Sequence, residues 1–351
     1  MRTTMRDVAR RAGVSLATVS YVLSHGPRAV GAERRRRVLV AAKELNYNAR
    51  TPRPQRFRRL TIGVVVPEVS FPFFATAVQG IEQVVRPGSH LLFVASSGDE
   101  PSRERQLIRA LLRRRVDGVI LAPCGDVAPL VGQAAERGTA VVLMDREGGG
   151  TSLNRVTINN HQSAFQAVRL LWESGHSQIA LVNGPDRIDT ARERLRGYTD
   201  ALAFAGLPFR SELVQRGPFT SDHGLQATRT LLALAEPPSA IFSSSAALTS
   251  GVLRGLRERG LRVPDDIALV GFGDPEWASL LTPPLTVIEQ PTVLLGEAAA
   301  RLLLATVGGR PAAIGQRMVL ETRLVLRESH WRVVQPAAAF GASPSTRGPI
   351  E

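Results

Sequence analysis

The chain has 351 residues with 44% hydrophobic but only 5% aromatic side chains, enough for mostly aliphatic cores in two or three domains. Cys124 stands alone, which excludes an intrachain disulfide scaffold and suits a reducing compartment. Apolar runs stay well short of the ~20 residues that a membrane span needs, and no apolar run follows the charged N-terminus as in a secretory leader; the expected location is cytoplasmic. The net charge of +13 is concentrated at one end: residues 1–60 carry 15 Lys/Arg against Asp7, Glu33 and Glu44, whereas the remainder carries 29 basic and 28 acidic residues. A basic head on a near-neutral bulk is the electrostatic footprint of a nucleic-acid-binding module.

Residues 5–24 read as two short helices about a tight turn. Val8, Ala9 and Ala12 make the inward stripe of the first helix, and Gly13 tolerates positive φ where it stops. Ser15 can cap the second helix, whose inner face is Val19, Val22 and Leu23. Small residues at Ala9 and Gly13 allow a close, steep crossing, the geometry of a DNA-binding helix-turn-helix. A third helix is expected from Gly31 to Tyr47, with Val38, Ala41, Ala42 and Leu45 packing on the first two. The Arg34–Arg37 run exceeds what one helix face can hold, so some of these arginines face phosphates and others solvent.

The motifs Arg6-Asp7-Val8-Ala9, Ala12-Gly13-Val14-Ser15 and Thr18-Val19-Ser20, followed by Lys43-Glu44-Leu45-Asn46-Tyr47, resemble the headpiece of the LacI/GalR family of transcription regulators. The resemblance resumes after residue 60 and runs to about 328. It implies that the second helix enters the major groove with Leu16, Ala17 and Tyr21 toward the bases. Leu16 and Ala17 offer no side-chain hydrogen bond and can sense only thymine methyl groups, while Tyr21 serves either as a base or phosphate contact or as headpiece packing. Thr18 and Ser20 suit phosphates. The DNA-facing set is thus Ser15, Leu16, Ala17, Thr18, Ser20, Tyr21 and Arg34, with Phe57 added from the linker.

That linker, residues 48–60, departs from the family. Related regulators carry an Ala/Leu-rich hinge helix here, whereas this chain has Pro52 and Pro54 and no leucine before Leu60. Pro52 fits the first position of a short helix after Thr51, but Pro54 biases Arg53 away from helical geometry. Two readings of Phe57 stand: an apolar wedge for the minor groove, or a side chain docked on the core.

From Thr61 the pattern alternates between short apolar runs and amphipathic segments. Strands are expected at 61–66, 90–95, 116–121, 140–144, 178–182, 240–242 and 267–271, with helices between. This cadence specifies a doubly wound α/β architecture with ligands at the carboxyl ends of the strands. The strand count suits two lobes better than one sheet. The resemblance implies a two-lobed core like that of periplasmic binding proteins, with parallel sheets and three crossing strands. One lobe would span 61–159 and 287–318, the other 160–286 and 319–328, and 329–351 would form a disordered tail.

Within the cleft of such a core, the resemblance points to Phe73 and Phe74 after the first strand as stacking surfaces, though each also reads as a core residue. It further points to Arg194 as the ligand-binding arginine, able to fork onto hydroxyls or a carboxylate, with Thr190 and Phe219 beside it. Asn159, Ser245 and Asp274 complete the expected effector set. The polar complement is thin: Ser245-Ala246 and Gly273 stand where the family has acids or amides, which weakens the case for an ordinary sugar. Enzyme motifs are missing: there is no phosphate loop with its lysine, since Lys43 is the only lysine, and no metal-ligand spacing or nucleophile elbow. No cofactor is expected. The expected function is a repressor, homodimeric on a pseudo-palindromic operator of double-stranded DNA and controlled by a small-molecule effector. The alternative is a small-molecule-binding protein whose headpiece no longer regulates.

Overall fold

The computed structural model describes residues 5–23, 30–45, 59–149, 152–307 and 315–331. Most of the linker, Phe57 included, and the segment 332–351 lie outside the described residues. The chain divides at Arg59–Leu60 into two compact units.

In the first unit, α1 (Met5–Ala12), α2 (Leu16–Leu23) and α3 (Ala32–Glu44) enclose a small aliphatic core. Val8, Val19 and Val38, one from each helix, are fully buried at its centre. Gly13 adopts φ +63°, which lets α1 stop and the chain reverse within three residues. Arg11 and Glu44 pair at 2.8 Å and tie α1 to the end of α3.

The second unit begins with β1 (Thr61–Val66), α4 (Pro72–Val85), β2 (Leu91–Ser96), α5 (Pro101–Arg113), β3 (Gly118–Leu121), α6 (Ala128–Glu136), β4 (Ala140–Met144) and β5 (Asn154–Ile158). The chain then crosses to a second lobe: α7 (Asn160–Glu173), β6 (Ile179–Asn183), α8 (Asp189–Phe204), β7 (Val214–Arg216), α9 (Ser221–Leu232), β8 (Ala240–Ser243), α10 (Ala246–Glu258), β9 (Ala268–Phe272) and β10 (Thr286–Glu289). It returns with α11 (Thr292–Val307) and β11 (Arg317–Leu320), and ends in β12 (Arg323–Val325). Two six-stranded sheets result, ordered β11-β5-β4-β3-β1-β2 and β12-β10-β9-β8-β6-β7. All pairings are parallel except that of β12 with β10. The continuous burial of β1, β3, β6, β8 and β9 is what helices on both faces of a parallel sheet demand.

Three expected boundaries move. β10 pairs with β9, Thr286 opposite Val270, so residues 287–289 belong to the second lobe and the return crossing falls after Glu289. Val319 and Leu320 pair with Thr157 and Ile158, so the first lobe extends through 320 and the last crossing lies at 321–322. An apolar run shows that a strand forms, but not which sheet accepts it. The expected tail also starts too early, since Ser329 and His330 are buried. The Ser329 hydroxyl accepts from the Thr286 amide (2.8 Å) and donates to the Leu269 carbonyl (2.6 Å).

Helix pairs on the lobes meet at glycines. A Cβ at Gly296 of α11 would lie 2.0 Å from the Ala77 carbonyl oxygen of α4, and one at Gly80 would lie 2.2 Å from that of Val293. Backbone cannot yield there as a flexible side chain would. Gly296→Ala should therefore destabilise the second unit at the upper end of the ~1–3 kcal/mol typical of overpacking. Gly132→Ala, on the exposed face of α6 with nothing within 4 Å, should instead be neutral or stabilise by roughly 0.5–1 kcal/mol. Thermal unfolding of the two variants checks the contrast; equal melting temperatures would contradict this packing.

Candidate functional site

In the first unit, α2 presents a polar and apolar face to solvent. The Ser15 hydroxyl accepts from the Thr18 amide at 3.2 Å and lies 2.9 Å from the Thr18 hydroxyl, which fixes the start of the helix as expected of an N-cap. With Val19 and Val22 turned inward, Leu16, Ala17, Ser20 and Tyr21 are all exposed. Leu16, Ala17 and Ser20 line one shallow depression with Met5 and Arg6 of α1. On α3, Glu33 holds Arg36 at 3.0 Å, while Arg34, Arg35 and Arg37 are exposed.

In the second unit, polar side chains gather where strands of both lobes end. The buried stripe of α8 runs Thr190, Ala191, Arg194, Gly197, Tyr198 and Ala201, a helical period that carries a guanidinium inward with the apolar residues. A Cβ at Gly197 would lie 2.2 Å from the His161 carbonyl oxygen; without one, α7 packs close. The Nε of Arg194 then donates to the Asn160 side chain at 2.8 Å, and its Nη1 donates to the Ser244 carbonyl. The guanidinium carbon sits 3.7 Å from the centre of the Phe272 ring, a cation–π contact in a desolvated place. The Ser244 hydroxyl donates to Asn183 (2.8 Å), whose amide donates to the Ala191 carbonyl (2.9 Å). Arg194 is thus braced on two sides. Burial pulls its guanidinium down to about 10, with Asp145 opposing that pull and Arg146 adding to it, so it remains charged at neutral pH.

Facing it electrostatically is Asp145, just past β4. The residue adopts φ +68°, a conformation that non-glycine residues rarely occupy and that concentrates at functional positions. Burial lifts its carboxyl to about 6, although Arg146 and Arg194 both pull it down. Its Oδ1 has no hydrogen-bond partner among the described residues, and neither has the Nε of Arg146. Arg146 is itself buried, and its Nη1 donates to Asp99 Oδ1 at 2.6 Å and to the Pro123 carbonyl at 3.2 Å. An adjacent acceptor and donor, both withdrawn from water and both unsatisfied, form an unusual arrangement in a folded core.

The other expected residues divide. Thr190 is buried beside Arg194 on α8, its amide donating to Asp189 Oδ1 at 2.9 Å. Phe73 is half-buried at the start of α4 and meets Phe74 edge-on, ring centres 5.0 Å apart; Phe74 itself is core. The Phe219 ring lies against Gly184, where a Cβ would be 2.1 Å away. Three residues have other tasks. Asn159 braces the crossings, accepting from Ser163 and from the Thr322 amide, both at 3.1 Å, and donating to Glu321. The Ser245 hydroxyl caps α10 through the Leu248 amide at 3.2 Å. Asp274 is held by both nitrogens of the Arg327 fork at 2.9 and 2.7 Å. Sequence reasoning passed over Asp145, Arg146, Asn160 and Phe272. Position was the available signal, because Asp145-Arg146 closes the apolar run 140–144 at the end where ligands sit.

Residues 4–49 match the family described as bacterial regulatory proteins, lacI family, and 168–330 match a periplasmic binding protein-like domain. Among curated relatives, the HTH-type transcriptional repressor CytR of Escherichia coli K12 is 33% identical over 93% of this chain and 96% of its own length. The chain belongs to the lacI family. Another member, catabolite control protein A of Priestia megaterium, is 34% identical over 86% of this chain and 92% of its own. Among solved structures, the transcriptional regulator CelR–cellobiose complex superposes with a TM-score of 0.71 at 35% identity, covering 93% of this chain and all of that one. The lac repressor dimer bound to operator gives 0.69 at 28% identity, over 94% and 100%. The lacI-family headpiece and two-lobed core expected from the motifs are therefore both present.

The unsatisfied carboxyl makes its own prediction. Asp145 holds its proton more tightly folded, at about 6, than at the ordinary 3.8. Its ionisation therefore destabilises the fold progressively as pH rises from about 4, and fully above about 6, by on the order of 3 kcal/mol. Asp145→Asn should raise the melting temperature at pH 7.5 and lose that advantage by pH 4. A variant no more stable than the wild type at pH 7.5 would contradict the burial cost.

Proposed function

We propose that this protein is an operator-binding repressor whose DNA affinity is set by a hydroxylated small molecule held between Asp145, Arg146 and Arg194. The observation that carries the reading is the adjacent pair of unsatisfied atoms, Asp145 Oδ1 and Arg146 Nε. A ligand hydroxyl can donate to the first and accept from the second. The Phe272-backed guanidinium of Arg194 supplies further donors, and Thr190, Phe73 and Phe219 are the candidate wall. Binding must favour one arrangement of the lobes over another to alter DNA affinity. Nothing in this reading requires catalysis; the chain works by binding, in the compartment that holds its DNA.

For the headpiece, Leu16, Ala17 and Tyr21 are assigned to base edges, Ser15, Thr18, Ser20 and Arg34 to the phosphate side. Two half-sites read by a homodimer multiply the few base contacts that one helix makes. The dimer reading is supported by apolar exposure on the edge strand β2, where Leu91, Phe93 and Val94 are all uncovered, and by Leu280, 76% exposed. Such surface is costly to leave in water.

A thermal-shift screen of sugars, nucleosides and small acids should find a ligand that raises the melting point, and footprinting at low salt should find paired half-sites whose protection that ligand changes. Protection that no ligand alters would leave a DNA-binding protein without this control. Arg34→Ala should reduce the salt slope of operator binding by about two in a dimer without reordering operator preferences, whereas Tyr21→Phe should reorder them if its hydroxyl reads a base. An unchanged slope in the Arg34 variant would remove that residue from the interface.

A further inference from the structure

Across the mouth of the cleft, one arginine of the second lobe grips three oxygens of the first. Arg187 lies in the loop between β6 and α8. Its Nη1 donates to the Cys124 carbonyl at 3.1 Å, and its Nη2 donates to both the carbonyl and the Oδ2 of Asp99, each at 3.2 Å. The loop that carries it is anchored to its own lobe, since the Asp186 carboxylate accepts from Arg216 at 2.9 Å and the Asp186 carbonyl from Arg192 at 2.8 Å. On the other side the gripped residues are equally fixed. Asp99 Oδ1 takes Arg146 at 2.6 Å, and the Cys124 amide donates to the buried Glu104 at 2.7 Å. A second crossing contact, from the Glu147 amide to Asp189 Oδ2, lies beside it.

We propose that Arg187 is a latch between the lobes and that Asp99 couples it to the ligand-facing pair. This builds on the effector reading above by naming how that site is regulated. The Asp99 carboxylate is shared, one oxygen given to Arg146 inside the pocket and the other to Arg187 at the rim. A ligand that draws Arg146 toward itself weakens or redirects its hold on Asp99, and thereby changes what Arg187 grips. The exposed position of Arg187, whose side chain is 45% accessible against 5% for Arg146, makes the outer half of this relay the half that solvent ions screen. The latch is thus strong enough to bias the lobes and weak enough to release.

The test measures lobe separation directly in the full chain without ligand. Dyes placed through Arg109→Cys on α5 and Gln226→Cys on α9, both exposed positions, report the interlobe distance by single-molecule energy transfer, with excess unlabelled chain suppressing doubly labelled dimers. Cys124 is buried with its thiol pushed up to about 12, and so stays out of the labelling. Wild type should show a dominant short distance at low salt, with the longer one growing as salt rises. Arg187→Ala should raise the open-to-closed ratio about twofold to fivefold and flatten its salt dependence. Arg187→Lys, which keeps charge but loses the fork, should fall between. Arg187→Ala distributions indistinguishable from wild type at both salts would overturn the latch. Because no effector enters the measurement, failure of the latch and failure of the effector reading give separate results.

Discussion

A buried carboxylate oxygen without a hydrogen bond is expensive for a core to keep, and Asp145 Oδ1 is one, while Oδ2 lies 3.9 Å from Arg146 Nε in an ion pair. Two arginines lie near it, yet burial still outweighs both and holds its carboxyl at about 6. The surrounding structure maintains the arrangement at some effort: Asp145 sits at positive φ, Arg146 is fixed by Asp99 and Pro123, and Arg194 is braced by Asn160, Ser244 and Phe272. Under the proposed effector reading, groups positioned in advance would meet most of the ordering cost in folding and not at the moment of binding.

The same logic separates the parts of the molecule that hold from those that respond. The helix pairs on the lobes meet through glycines whose close approach admits no extra atom, and the crossings are knitted by Asn159, Ser163 and Thr322. The final segment is pinned by Ser329 and by the Arg327–Asp274 fork. Among the described residues, the contacts named across the mouth of the cleft, Arg187 with Cys124 and Asp99 and Glu147 with Asp189, are polar. In the proposed latch, such clasps would let a small ligand's differential binding change the arrangement of the lobes.

Much of this was legible in the residues. The headpiece could be read because its signals agree: Gly13 at the turn, Ser15 at the cap and an inward stripe on each helix, containing Val8, Val19 or Val38, all specify one geometry. The βαβ cadence was equally plain. What escaped shares a cause. β5 and β11, with polar residues such as Asn154, Arg155 and Arg317, lack the apolar run that marks a buried strand, and β10 shows such a run without revealing its sheet. Ser245 and Asp274 occupy positions where ligand groups were expected, but capping α10 and pairing with Arg327 depend on partners far along the chain or on local backbone geometry. Asp145 carries no motif of its own; only its place at a strand end and its unsatisfied burial distinguish it.

The most direct measurement is operator affinity with and without the screened ligand, for wild type and for Asp145→Asn. Substituting the neutral amide keeps size and shape while removing the acceptor charge. If Asp145 is where the effector is held, the variant binds operator as tightly as wild type, and saturating ligand changes the wild-type affinity while leaving the variant's unaltered. A variant that responds to the same ligand concentration by the same factor would contradict the account.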